Sequence, residues 1–423
     1  MNKFGRMNLS YSILEKNQEL FVDRIIMHID MNSYFASVEQ QANPFLRGKP
    51  IGITGKRQER SIVAAASIEA KRLGVKTIMS TWEAKRICPS IILYPGDPEK
   101  YSHIKNQFNA LFREYTDQVE QFSVDESFLD VTEQAKDYLG ATFLAQTIRE
   151  RLKQTCGEYI TASIGIAPNK LMAKLCSGQV KPNGLTVVQP QNTHAHLNHS
   201  QLQDVCGIGP RVARHLNAIG IYTFEQLRAV SKEALVREFK RLGFWLYDTA
   251  RGEDHDPVCS DEHAPKSIGH SYTLATDTDD PKEMKRNLLG LCDKVGWRLR
   301  RDGFVAGRLH VYVRYNDFSG MGQQQTLQAP TANGLTIFKT AWHLIEKWRD
   351  EMKPIRLLGI SASHLTTNIE QPSLFKKECA VHTLFTALDQ LQTRYGSKAW
   401  TRASLLKTDF KARSSGFHFD HEM

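Results

Sequence analysis

Two acidic strand ends constrain this chain more than any other feature. RIIMHIDM (24–31) is a short, mostly apolar run of the kind buried as a central strand, and it ends on Asp30. Much further along, QVEQFSVDESFLDVT (118–132) reads as two strands joined at a tight turn that carries Asp125 and Glu126. Neighbours in a straight strand point to opposite faces, so these two acids share a site only if the chain turns between Phe122 and Phe128. Two readings are open. In one, the three carboxylates converge, repel at short range, and need a divalent cation such as Mg²⁺, which takes oxygen ligands and leaves room for phosphates. In the other, Asp30 caps a helix and Asp125 with Glu126 lies on a solvated turn.

The remaining pattern predicts several modules. NSYFASVEQQANP (32–44) predicts a helix stopped before Pro44, and residues 45–92 mix short strands and helices. A helix over roughly 98–116 precedes the acidic turn; another over 140–155, the strand TASIGIA (161–167), a helix from Asn169 and the turn KPNG (181–184) follow it. Residues 190–258 are helical, with the turn GIGP (207–210) and a capping box at Thr223 and Gln226. Gly207 and Gly209 allow close backbone approach, and Pro210 opens a helix with an expected buried stripe of Val212, Leu216 and Ile219. With Arg211 and Arg214 beside it, this helix start either holds a DNA phosphate or is a plain helix–helix turn.

SDEHAPK (260–266) lacks an apolar anchor and reads as a linker to an α+β module, 267–368. Within that module GRLHVYVRYN (307–316) puts Arg308, His310, Tyr312 and Arg314 on one face and Leu309, Val311, Val313 and Tyr315 on the other. The basic face suits either a phosphate backbone or plain solvent. Last comes an amphipathic helix, with Leu384, Phe385, Leu388, Leu391 and Tyr395 at helical spacing.

At 423 residues the chain is too long for one ordinary core. Its net charge of +9 favours a polyanionic partner, nucleic acid first. No apolar stretch approaches the ~20 residues of a bilayer span, and the first twenty residues lack a signal-type apolar core, so a cytoplasmic protein is expected. The seven cysteines are dispersed and read as reduced thiols. GITGKR (52–57) lacks P-loop spacing, and neither GxSxG nor HExxH occurs.

IDMNSYFASVEQ (29–40), FSVDESFLDVT (122–132), SIGIAPNKLMAKLCS (163–177), KPNG (181–184) and the GIG hairpin occur together in one order. That order resembles the Y-family translesion DNA polymerases, most of all their bacterial polymerase IV group, over about residues 24–368. The resemblance implies an α+β multidomain right hand. Its palm would hold 24–33 and 97–188, its fingers 42–96, its helical thumb with the helix-hairpin-helix 189–256, and an α/β little finger 266–368. An N-terminal extension (1–23) and a C-terminal tail (369–423) flank these domains.

The same resemblance implies roles for residues. Asp30, Asp125 and Glu126 are the catalytic carboxylates that bind two Mg²⁺ ions, with the Met31 carbonyl as a further ligand. Phe35 is the steric gate under the sugar with Tyr34 beside it, and Lys181 reaches the triphosphate. On the fingers Ala65, Ile68 and Lys71 stand where the family has Thr, Tyr and Arg, which predicts a weaker or rearranged nucleotide grip. Gly207, Gly209, Arg211, Arg308 and Arg314 contact DNA, and Gln371, Leu374 and Phe375 of QPSLF resemble a sliding-clamp-binding pentapeptide. The implied activity is low-fidelity, template-directed DNA synthesis by a monomer with primer-template DNA, dNTP and the clamp as partners and no membrane. The alternatives are a catalytically silent DNA-binding member of the same fold and, more remotely, a two-metal nuclease.

Overall fold

A computed structural model describes residues 24–55, 61–261, 264–350, 353–367, 376–396 and 399–406, with side chains from 383 onward in the last helix. It divides into two compact units at residue 262.

The first unit is built on a five-stranded sheet of order β5-β6-β1-β7-β8: β1 (Ile26–Met31), β5 (Val119–Gln121), β6 (Glu126–Asp130), β7 (Ala162–Ala167) and β8 (Leu185–Val187). The apolar run fills the middle position. β1 pairs antiparallel with β6 on one side and β7 on the other, so Ile26, Met27, Ile29 and Met31 are all buried. Ser33, in the left-handed region (φ 48°), turns the chain out of β1 and directly into the helix Tyr34–Ala42. Asn169 caps the helix Lys170–Gln179, accepting from the Met172 amide at 2.9 Å. This helix lies so close to the sheet that a Cβ on Gly165 would stand 2.1 Å from the Ala173 carbonyl oxygen.

A second sheet, β3-β2-β4, combines β2 (Ile51–Thr54), β3 (Ala65–Ala66) and β4 (Ile92–Pro95), with the helices Ile68–Arg72 and Thr81–Ile87 beside it. The helical segment runs from Thr193 to Arg251, and the Thr223–Gln226 capping box is present. Its expected stripe needs correcting. Ala213 and Leu216 are buried, Val212 is half-buried, and Ile219 is 45% exposed. Gly220 (φ 85°) reverses the chain, and the Ile221 amide bonds the Leu216 carbonyl at 3.0 Å, so Ile221 turns inward instead.

The second unit is a four-stranded antiparallel sheet of order β11-β10-β12-β9: β9 (Ser267–Thr278), β10 (Phe304–Tyr315), β11 (Gly320–Thr331) and β12 (Ile355–Thr367). The helices Pro281–Arg301 and Gly334–Trp348 cover one face, where Leu288, Leu291 and Val295 meet Leu309, Val311 and Val313. Arg308, Tyr312 and Arg314 stay half-buried and His310 exposed on the opposite face, as the alternation on β10 predicts. The helix Lys376–Tyr395 departs from its predicted stripe, because Leu384, Leu391 and Tyr395 are exposed. Among its described side chains a polar contact stands out: Arg300 donates to both Asp389 oxygens at 2.6 and 2.8 Å and lies 4.4 Å over the Phe385 ring.

Gly165→Ala should destabilise the first unit by about 1–3 kcal/mol, because helix and strand must separate to admit one methyl group. Urea unfolding measures it, and an unchanged midpoint would contradict the close approach.

Candidate active site

The strand register decides between the two readings of the acids. Asp30 on β1 lies directly opposite Glu126 on β6, and facing residues of an antiparallel pair project to the same side. Asp125 comes just before β6. The turn is closed by the Phe122 and Ser123 amides, which both donate to the Glu126 carbonyl at 3.0 and 3.1 Å, while the Asp125 carbonyl accepts from the Met31 amide at 2.9 Å. Neighbouring acids that a straight strand would send apart are thus kept beside Asp30.

Burial raises the Asp30 and Asp125 carboxyls above their ordinary range. For Asp30, Lys181 opposes the rise while the charges of Glu126 and Asp125 add to it. For Asp125, the hydroxyl of Ser123, donating to Oδ1 at 2.8 Å, opposes it and Glu126 again adds to it. The three carboxylates therefore sit in one another's field.

Three lysines answer them. Lys181 Nζ donates to Asp30 Oδ2 at 2.6 Å, and Lys174 Nζ donates to Glu126 Oε1 at 2.6 Å while lying 4.6 Å over the Phe122 ring. Lys71, on the helix Ile68–Arg72, is lowered from its ordinary value by burial and then by Lys181, with Asp30 and Asp125 pulling the other way. Among the described residues no three His, Cys, Asp or Glu side chains close on a metal-sized space. Asp30 and Glu126 are turned onto lysines, and Asp125 onto Ser123. The donor set itself, carboxylate oxygens only, fits a hard divalent cation.

Near the acids stand the residues that the resemblance assigns to a nucleotide. Asn32 pins the turn that bears Lys181, its Oδ1 accepting from the Asn183 amide at 2.7 Å and its Nδ2 donating to Ser163 at 3.0 Å. Tyr34 is buried and donates to the Tyr101 carbonyl at 2.5 Å; Phe35 stacks on the Tyr101 ring at 4.3 Å and 13°. Ala65 lies on β3, and Ile68 opens the helix that carries Lys71. Sequence reasoning missed Lys174 and Asn32. Both lie within the quoted runs IDMNSYFASVEQ (29–40) and SIGIAPNKLMAKLCS (163–177), and that membership was their signal.

The other predicted residues are elsewhere. Gly207 has φ 109°, and a Cβ there would come within 2.6 Å of the Trp245 ring, so only glycine fits. Gly209 caps the helix Pro210–Ala218, and Arg211 is exposed at its start. In the second unit Arg308 donates to Thr326 Oγ1 at 3.3 Å, and Arg314 lies beside Tyr312. Gln371, Leu374 and Phe375 lie outside the described residues, as do 1–23.

A family model described as the impB/mucB/samB family matches residues 29–178, and one for its C-terminal domain matches 265–374. DNA polymerase IV of Bacteroides fragilis is 38% identical over 342 residues, 81% of this chain and 93% of its own. DNA polymerase IV 1 of Bacillus subtilis is 35% identical over 406 residues, 94% and 97% of the two chains. A solved Y-family DNA polymerase chimera, 27% identical, matches with a TM-score of 0.75 over 81% of this chain and 100% of that one.

Asp125→Asn should stabilise the protein at neutral pH. A carboxyl raised in the folded state favours folding while protonated, and that contribution is lost as pH climbs from the ordinary carboxylate range through the raised value. Asparagine keeps the oxygen facing Ser123 without the charge. Thermal unfolding should therefore give matching melting temperatures in acid and a higher one for the variant at neutral pH; a lower one at neutral pH would contradict the burial argument.

Proposed function

Because this chain belongs to the impB/mucB/samB family of Y-family DNA polymerases, we propose that it copies damaged templates at low fidelity by two-metal catalysis. It is a DNA-directed DNA polymerase with the α+β multidomain fold of that family. The observation that carries the finer reading is Asp30 facing Glu126 across β1 and β6 with Asp125 in the adjoining turn.

In this reading the five-stranded sheet is the palm (24–33 and 97–188) and the small sheet the fingers (42–96). The thumb spans 189–256, and the second unit contributes the little finger (266–368). Asp30, Asp125 and Glu126, with the Met31 carbonyl, would hold two Mg²⁺ ions. Bound there, such cations lower the pKa of the primer 3′-OH and steady the leaving pyrophosphate. The 3′-hydroxyl gives up its proton to water, and its oxygen forms a bond to the α-phosphorus of the dNTP as the bond from that phosphorus to the bridging oxygen breaks. The chain's own residues bind and orient the reactants. Lys181 and Lys71 offer positive charge to the triphosphate, although lysine lacks the bidentate fork of arginine and Ala65 and Ile68 donate nothing. Phe35 lies under the sugar with Tyr34 behind it.

Gly207, Gly209 and Arg211 hold one stretch of primer-template backbone, and Arg308 and Arg314 another. Gln371, Leu374 and Phe375 tether the monomer to a sliding clamp. Among the described residues no helix is long and apolar enough to cross a membrane. The loss of hydrogen-bonding fingers residues at Ala65 and Ile68 favours one competitor, a silent DNA-binding member of the same fold.

Primer extension on undamaged and abasic templates with Mg²⁺ and dNTPs separates the readings. Wild type should extend both. Asp125→Ala or Glu126→Ala should slow incorporation by more than about 10²-fold, from lost electrostatic stabilisation of the transition state, with duplex affinity retained. Binding without extension would identify the silent module, and primer shortening without dNTPs a nuclease.

A further inference from the structure

Phe35 and Glu39 lie four residues apart on one face of the helix Tyr34–Ala42. Glu39 is fully buried, an expensive place for a carboxylate, and both of its oxygens are engaged. Oε1 accepts from the Tyr101 hydroxyl at 3.1 Å, and Oε2 accepts from Lys100 Nζ at 3.0 Å. The Lys100 side chain is 40% exposed, so the pair keeps contact with solvent, and the bond to Glu39 raises the Lys100 ammonium above its ordinary value.

Tyr101 is held at two points, its hydroxyl by Glu39 and its carbonyl by Tyr34. Its ring is the one stacked nearly parallel on Phe35. Stacking alone leaves a ring free to slide in its own plane, whereas a charge-assisted bond to the hydroxyl fixes where the plane ends. The position of the Phe35 ring is thereby referred, through Tyr101, to a buried carboxylate on its own helix.

We propose that Glu39 is a positioning residue for the choice between deoxyribo- and ribonucleotides, acting through Tyr101 on Phe35. The proposal rests on the reading of Phe35 as the ring beneath the sugar. It assigns to Glu39 no contact with nucleotide. Its effect is on how closely the ring approaches the place of a 2′-OH.

The test is single-turnover incorporation of matched dNTP and rNTP by Glu39→Gln, Tyr101→Phe and Phe35→Ala. Phe35→Ala should lose most of the discrimination. Glu39→Gln and Tyr101→Phe should each cut the dNTP/rNTP ratio of kcat/KM by roughly five- to tenfold, the scale of one ordinary net hydrogen bond transmitted through the Tyr101 ring. That change should come from faster and tighter use of rNTP, with dNTP use altered far less. The double variant Phe35→Ala/Glu39→Gln should discriminate no worse than Phe35→Ala. If Glu39 only ties two helices together, dNTP and rNTP use fall in parallel with a lowered melting temperature. Unchanged ratios in both single variants, with Phe35→Ala losing discrimination, overturn the role of Glu39 alone. Retained discrimination in Phe35→Ala overturns the reading of Phe35 and the proposal with it. Tyr101→Phe keeps the ring, so it decides the matter even where Glu39→Gln fails to fold.

Discussion

The pairing of β1 with β6 sets Asp30 against Glu126, and the neighbourhood is arranged around the repulsion that this creates. A tight turn adds Asp125 to the same field, and burial disfavours the charged forms of Asp30 and Asp125. Lys181, Lys174 and Lys71 bring compensating charge from three different elements: a turn, the helix against the sheet, and a helix beside the small sheet. An apolar replacement of the acids would fold more easily. Stability is given up at this place to keep mutually repelling acids together, which is how function-bearing residues commonly depart from the best-folding choice.

The same strand also positions the residues proposed to meet the nucleotide. Because the chain turns at Ser33 straight from β1 into a helix, Tyr34 and Phe35 follow within a few residues of Asp30. Asn32, between them, reaches back to the Asn183 amide and so ties the Lys181 turn to the strand that bears the carboxylate. Glu39, one helical turn beyond Phe35, fixes Tyr101 behind the ring. One segment, 26–42, therefore supplies a carboxylate, the aromatic ring proposed to lie under the sugar and, through Glu39, the hold on the ring stacked against it.

Local signals were legible wherever the physics is local. The apolar run of β1, the cap at Asn169, the Thr223–Gln226 box and the alternation along β10 all follow from neighbours a few residues apart. Whether Asp125 and Glu126 share a side with Asp30 was not local, because it depends on how Phe122 and Ser123 close the turn and on which strand β6 pairs with. Lys174 was invisible for the same reason: its meeting with Glu126 needs the close helix–sheet contact that Gly165 permits. Ile219 gave way to Ile221 because a left-handed glycine reset the inward direction by two residues. At the C-terminal helix, periodicity pointed to apolar packing, but among the described side chains Leu384, Leu391 and Tyr395 are exposed and the Arg300–Asp389 pair makes the contact. Family resemblance supplied the roles of the lysine and aromatic positions, which no spacing rule alone yields.

The central claim is that these carboxylates form an electrostatically strained site that a divalent cation relieves. Thermal unfolding of the free protein over a Mn²⁺ titration, without DNA or nucleotide, tests it most directly. Binding to the folded state alone should raise the melting temperature steadily with the logarithm of metal concentration, and the rise should vanish in Asp30→Asn/Asp125→Asn. A wild-type protein indifferent to Mn²⁺, or an equal rise in the double variant, would contradict the account.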